Sequence, residues 1–150
     1  IDASKTAVEW GRQNAEKSGL AGAPIRWIVE DTMRFVDREI KRGTKYDGII
    51  LDPPAFMQKR KDHANGLLAY RRVNELAMRL LVRDGLLVSG SCSMHLTRDE
   101  LVDVVRGASR HLDKSAQIVF IGGQGPDHPI HPAIPETSYL KCVIARVLGA

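Results

Sequence analysis

The sequence predicts an α/β fold: a doubly wound, mostly parallel sheet that ends in an antiparallel hairpin. Three features carry this expectation. Segments with helical apolar spacing alternate with short strand-like apolar runs along most of the chain. The runs at 46–51 and 86–91 are close to continuously apolar, as strands covered on both faces are. The last two strand-like runs, 117–122 and 139–147, have no helix between them and so pair antiparallel.

In chain order, Ser4 is placed to cap a helix reaching about Ser18, with Ala7, Val8 and Ala15 on one side and Gly19 as its stop. Residues 25–29 follow Pro24 and read as a strand. Thr32 is placed to cap a second helix that ends before Gly43. The strand at 46–51 stops at Asp52-Pro53-Pro54, because proline cannot continue a central strand. A loop runs to about Asn65. Leu67, Leu68, Val73, Leu76, Ala77, Leu80 and Leu81 then recur at helical spacing. Arg83-Asp84-Gly85 reads as a turn into the 86–91 strand. Thr97-Arg98-Asp99-Glu100 is a capping box, and Leu101, Val104, Val105, Ala108 and Leu112 form the apolar face of the helix it opens. A loop rich in Gly, Pro and His separates the last two strands.

The chain has 150 residues, 43% hydrophobic and 27% charged, which suits one globular domain with a sizeable core. No apolar run approaches the roughly 18 residues of a membrane span, and no signal-peptide pattern opens the sequence. Two cysteines, Cys92 and Cys142, are too few for a disulfide framework, so a cytoplasmic setting is the expectation. Cys142 falls inside the last strand and reads as core. Ile1-Asp2 reads as the end of a strand whose start lies upstream, so a longer protein is expected. The net charge is +4. Lys59, Arg60, Lys61, Arg71 and Arg72 against Asp62 concentrate that excess in one stretch, which suits either a polyanion such as RNA or a solvated loop.

Four polar residues, Asp2, Asp31, Asp52 and Cys92, each end or closely follow an expected strand. In a parallel sheet they would line its carboxyl edge, where open α/β folds bind ligands. A carboxylate there can accept from ribose hydroxyls or an adenine amine; Asp31 can equally serve as a helix cap. Pro53 and Pro54 leave carbonyls outside any ladder, and Phe56 offers a ring for a planar base or for the core. Cys92, in Ser91-Cys92-Ser93, is either a small buried side chain or a nucleophile, and a free thiol with pKa of about 8.5 needs activation for that. His128 and His131 flank Pro129 in a loop that reads as a lid or a plain connection, without a third metal ligand.

Together, Asp2-Ala3-Ser4, Trp10 with Asn14-Ala15, the run from Ile50 through Asp52-Pro53-Pro54-Ala55-Phe56, Ser91-Cys92-Ser93 and the segment 127–141 resemble one family. It is the class I S-adenosylmethionine-dependent methyltransferases that modify C5 of cytosine in bacterial 23S ribosomal RNA. The resemblance implies a Rossmann-like sheet whose first strand and glycine-rich loop lie outside this sequence, as do the family's N-terminal PUA and linking domains. It implies S-adenosyl-L-methionine as cofactor, with Asp2 at its ribose and Asp31 at its adenine, and Asp52 at the edge of that site. It places Asp52, Pro53, Pro54 and Phe56 at the cytosine, Cys92 as the nucleophile that adds at C6, and ribosomal RNA against Lys59, Arg60 and Lys61. No membrane partner is implied. The family's first strand is central, so its neighbours here would carry open edges, and self-association, as a homodimer, is expected. Ala55 departs from relatives that carry a second cysteine there, which leaves the acceptor of the C5 proton open. The alternatives are a methyltransferase acting on an exocyclic amine, which needs no thiol, and a non-catalytic RNA-binding module on the same fold. A dinucleotide oxidoreductase is a third, without a glycine fingerprint in these residues.

Overall fold

The computed structural model describes residues 1–149 and divides into two compact units, Ile1–Gly43 and Thr44–Ala150.

The first unit holds two helices. α1 (Lys5–Lys17) starts as expected: Ser4 Oγ accepts from the amide of Ala7 at 3.2 Å. It ends before Gly19, whose φ of 76° is one that glycine adopts without strain. A Cβ on Gly11 would lie 2.9 Å from the Trp27 ring, so that glycine lets the indole lie against α1. α2 (Thr32–Arg42) is capped by Asp31 rather than by Thr32; Asp31 Oδ1 accepts from the Arg34 amide at 3.0 Å. The strand expected at 25–29 shrinks to one parallel bridge, Asp2 with Val29. The Asp2 amide donates to Ile28 and the Glu30 amide to Asp2. The reason is local. The partner segment turns into the α1 cap at Ser4, so Asp2 alone is left to pair.

In the second unit β1 (Tyr46–Leu51), α3 (His63–Leu80), β2 (Leu81–Ser91), α4 (Arg98–His111), β3 (Ser115–Gly122) and β4 (Lys141–Leu148) build a sheet of order β1-β2-β4-β3. β1 and β2 are parallel; β4 is antiparallel to both β2 and β3, as the absence of a helix between the last two strands predicts. Two expectations change. α3 begins at His63, and Tyr70 lies on its buried face with Val73, Ala77 and Met78, whereas Leu68 is 64% exposed. Arg83-Asp84-Gly85 is not a turn between elements but an irregularity inside β2. Asp84 takes φ 64°, and the pairing jumps from Tyr46 with Leu81 to Gly48 with Leu86. Asp tolerates the left-handed conformation that such a bulge requires.

α3 and α4 pack on the sheet face formed by Leu87, Val143, Ala145 and Val147, burying Tyr70, Met78, Leu101 and Val105 with them. Within this unit both helices cover that one face; Ile50 and Leu86, pointing the other way, are exposed. The capping box of α4 forms as expected, with Thr97 Oγ1 accepting from the Glu100 amide and Glu100 Oε2 accepting from the Thr97 amide. Cys142 is half-buried in β4 rather than in the core.

Candidate active site

Parallel pairing sets Leu51 opposite Ser89, so β1 and β2 end side by side and release Asp52 and Cys92 at the same edge. Gly90 keeps this edge open: a Cβ there would lie 3.0 Å from the Leu51 carbonyl and 4.0 Å from Asp52 Oδ1. Asp52 and Pro54 are exposed and Pro53 is half-buried. The chain then turns inward. The Phe56 ring meets Tyr70 edge-on at 4.8 Å between centroids, and Met57 is buried. Gly66 makes room for Met57, since a Cβ there would sit 2.2 Å from Met57 Cγ.

The end of β2 is tied down by its serines. Ser91 Oγ donates to Tyr70 Oη at 2.8 Å, the Ser93 amide donates to Ser91 Oγ at 3.1 Å, and Ser93 Oγ donates to the Met57 carbonyl at 2.7 Å. Cys92, between these two buried serines, is half-buried. Lys141, the first residue of β4, pairs with Ser91 in the ladder and donates from Nζ to the Ser93 carbonyl at 2.5 Å. Burial pushes the Tyr70 hydroxyl up from its ordinary pKa, although bonds with Ser91 and the Phe56 backbone oppose this. Burial also lowers the Lys141 ammonium, against the attraction of Cys92 and Glu100.

The N-termini of α3 and α4 meet at His63 and Glu100, whose Nε2 and Oε1 are 2.7 Å apart. Burial would raise the Glu100 carboxyl, but the Thr97 amide and hydroxyl together with His63 outweigh it and hold it below its ordinary value. Arg60, His63, Met94 and His95 line a cavity of about 410 Å³ beside Lys59 and Lys61, which are exposed. Arg71, counted in the basic stretch, is instead paired with Glu75 at 3.0 Å.

In the first unit the Asp2–Val29 bridge sets Asp2 alongside the segment that leads to Asp31. Each of these carboxylates spends one oxygen on a backbone amide: Asp2 Oδ1 accepts from Ser4 at 2.6 Å, and Asp31 Oδ1 from Arg34. The intervening Glu30 is held by both terminal nitrogens of Arg38.

The structure therefore brings Asp52, Pro53, Pro54 and Phe56 to the strand ends with Cys92, and it adds Tyr70, Lys141 and His63, which the sequence reading missed. A polar residue on an otherwise apolar helix face, as at Tyr70, was the available signal. The histidine-rich loop is tied within itself. His128 pairs with Asp127 at 3.0 Å and His131 Nδ1 accepts from the Ala133 amide. Gln124 Oε1 accepts from Tyr139 and Leu140 just before β4. Among the described residues no group of His, Cys, Asp and Glu is placed to hold a metal.

No protein-family model matches the chain. It is 34% identical over 146 residues to "Ribosomal RNA large subunit methyltransferase I" of Aeromonas salmonicida, covering 97% of this chain and 37% of that protein. The crystal structure of a SAM-dependent methyltransferase from Agrobacterium tumefaciens superposes with a TM-score of 0.64 at 25% identity, over 99% of this chain and 47% of that one. A provisionally assigned SAM-dependent methyltransferase from Streptococcus mutans superposes with a TM-score of 0.78 at 16% identity, over 96% of this chain and 36% of that one. The chain is thus a homologue of the ribosomal RNA large subunit methyltransferase I proteins over 37% of their length, and it carries the fold of the SAM-dependent methyltransferases.

Proposed function

We propose that the protein of which this chain forms part transfers a methyl group from S-adenosyl-L-methionine to C5 of a cytosine in 23S ribosomal RNA. The observation that carries this reading is the delivery of Asp52 and Cys92 to one edge by two adjacent parallel strands. An exocyclic-amine methyltransferase would need the carboxylate and prolines but not a thiol held between two anchored serines.

The donor set fits the cofactor. Asp2 and Asp31 each keep one carboxylate oxygen free of the backbone bonds above, the acceptor that a ribose hydroxyl or an adenine amine requires. Bound there, S-adenosyl-L-methionine supplies an electrophilic methyl group. The chain's own residues prepare the base. Cys92, as thiolate, adds at C6 and makes C5 electron-rich. Asp52 accepts from the exocyclic amine, and the exposed Pro53-Pro54 turn borders the ring. After methylation a base takes up the C5 proton, the C5–H electron pair restores the C5–C6 double bond, and the C6–S pair leaves with sulfur as thiolate. Lys59, Arg60 and Lys61 hold phosphates of the RNA.

The test uses the full-length protein. Cys92→Ala abolishes methyl transfer and leaves cofactor affinity within a few fold, and wild type forms a covalent adduct with RNA containing 5-fluorocytosine. Turnover that survives in Cys92→Ala removes the nucleophile and favours the exocyclic-amine reading. Cofactor binding without turnover on any ribosomal RNA favours the non-catalytic module.

A further inference from the structure

The cavity of about 410 Å³ lined by Arg60, His63, Met94 and His95 lies wholly within the second unit. Two loops build it. Arg60 and His63 follow the Asp52-Pro53-Pro54 stop of β1, and Met94 and His95 follow Cys92 at the end of β2. The cavity therefore lies further along the same two loops that carry Asp52 and Cys92. Its walls are fixed. Glu100 Oε1 accepts from His63 Nε2 at 2.7 Å, while Oε2 is bonded to the Thr97 amide and hydroxyl. Met94 and His95 form the tip of a turn whose ends, Ser93 and Leu96, are buried, and the Leu96 amide donates to the Ser93 carbonyl at 3.2 Å. Only the tip can project, and Met94 is 50% exposed.

The lining decides what such a cavity takes. None of the four residues is a carboxylate, and among the described residues the side chains of Arg60 and His95 make no hydrogen bond or ion pair. Lys59 and Lys61, on either side of Arg60 in the chain, are exposed. A guanidinium can hold two oxygens of one phosphate, and a flat imidazole beside a polarizable thioether offers a surface to a ring. A bare anion has no use for the thioether. The volume falls within the roughly 300–1,000 Å³ of small-molecule sites, which gives room for one nucleotide.

We propose that this cavity receives the RNA nucleotide next to the target cytosine, with its phosphate on Arg60 and its base against His95 and Met94. The identity of the strand rests on the ribosomal RNA reading above. Proteins that recognise single-stranded RNA take unstacked bases onto aromatic and arginine planes. Docking the neighbour here separates it from the cytosine, which must itself leave the stack to reach Asp52 and Cys92.

The test has two arms, both with the full-length protein. In the first, the histidine ring signals are followed by NMR at constant pH, and His95→Phe identifies those of His95. At least one of the four ribonucleoside 5′-monophosphates moves the His95 signals saturably, inorganic phosphate at the same concentration leaves them in place, and Arg60→Ala weakens the effect severalfold. An equal response to inorganic phosphate makes this an anion site and overturns the proposal, as does no response to any of the four. In the second arm, His95→Ala weakens binding of a 23S ribosomal RNA transcript about tenfold, the scale of one base stacked on an aromatic ring, and His95→Phe restores most of it. Unchanged S-adenosylmethionine affinity shows that these variants are folded. RNA affinity equal to wild type in His95→Ala overturns the proposal; if that variant does not fold, the wild-type titration decides. Wild type that binds the transcript without methylating it discards the methyl-transfer reading and leaves the subsite standing. Wild type that binds no RNA overturns both.

Discussion

Ser91 and Tyr70 join the strand that precedes Cys92 to the helix that follows the Asp52 loop, through a hydroxyl–hydroxyl bond of 2.8 Å in which both residues are buried. The same tyrosine ring packs against Phe56, three residues after Pro53. One aromatic side chain therefore sets the spacing between the two loops that carry the candidate chemistry.

Tyr70→Phe keeps the ring contact and removes the acceptor of the Ser91 hydroxyl proton, while Ser91 Oγ still accepts from the Ser93 amide. Losing that one hydrogen bond costs about 0.5–1.5 kcal/mol, to be measured by urea denaturation at pH 7. The pH dependence changes as well. The folded-state pKa of Tyr70 lies above its unfolded value, so the wild type loses stability as pH rises past about 10, where only the unfolded chain ionises. The phenylalanine variant lacks this component of the alkaline decline, and parallel curves for the two proteins would contradict the assignment.

Asp31 has a structural role that can be separated from its proposed one. Asp31→Ala removes the α2 cap and costs about 0.5–2 kcal/mol, whereas Asp31→Asn caps nearly as well and leaves the melting temperature close to wild type. In the full-length protein Asp31→Ala also weakens S-adenosylmethionine binding by about tenfold, the loss of one hydrogen bond of about 1.5 kcal/mol. Calorimetry that finds unchanged affinity would leave Asp31 as a cap alone.

Glu100 links the α4 cap to His63, and its carboxyl is held below the ordinary value. A depressed carboxylate contributes stability above its unfolded pKa of about 4.3 and loses it as pH falls through the folded value. The stability difference between wild type and Glu100→Gln is therefore full at pH 6 and shrinks below pH 4. Chemical denaturation at a series of pH values reads it directly; a difference that grows on acidification is the opposite sign.

Replacing Lys59, Arg60 and Lys61 together by alanine weakens RNA binding by the full-length protein. It also flattens the log–log salt dependence by up to three phosphate contacts, about 0.7 each on single-stranded RNA. Arg71→Ala changes this slope little, because its guanidinium is committed to Glu75. A salt slope equal to wild type in the triple variant identifies the stretch as a solvated loop.

The amino-acid sequence by itself determined the local events. The Asp52-Pro53-Pro54 stop, the Thr97–Glu100 capping box, the Ser4 cap and the helix-free step before the last strand are all set by residues within a few positions of one another, so backbone sterics and short-range hydrogen bonds suffice to specify them. The end of the 46–51 strand was legible for that reason, and with it the exposed position of Asp52. Tertiary structure decided what depends on distant partners. Whether 25–29 forms a strand depends on how much of the other segment is free to pair, and Ser4 takes that segment into α1. Whether residues 81–85 turn or continue β2 depends on a bulge tolerated against β1. Tyr70 and Lys141 lie 21 and 48 residues from their partners Ser91 and Ser93. No local pattern assigns a tyrosine on a helix and a lysine on a strand to the same cysteine loop; the closing of the sheet around β2 does.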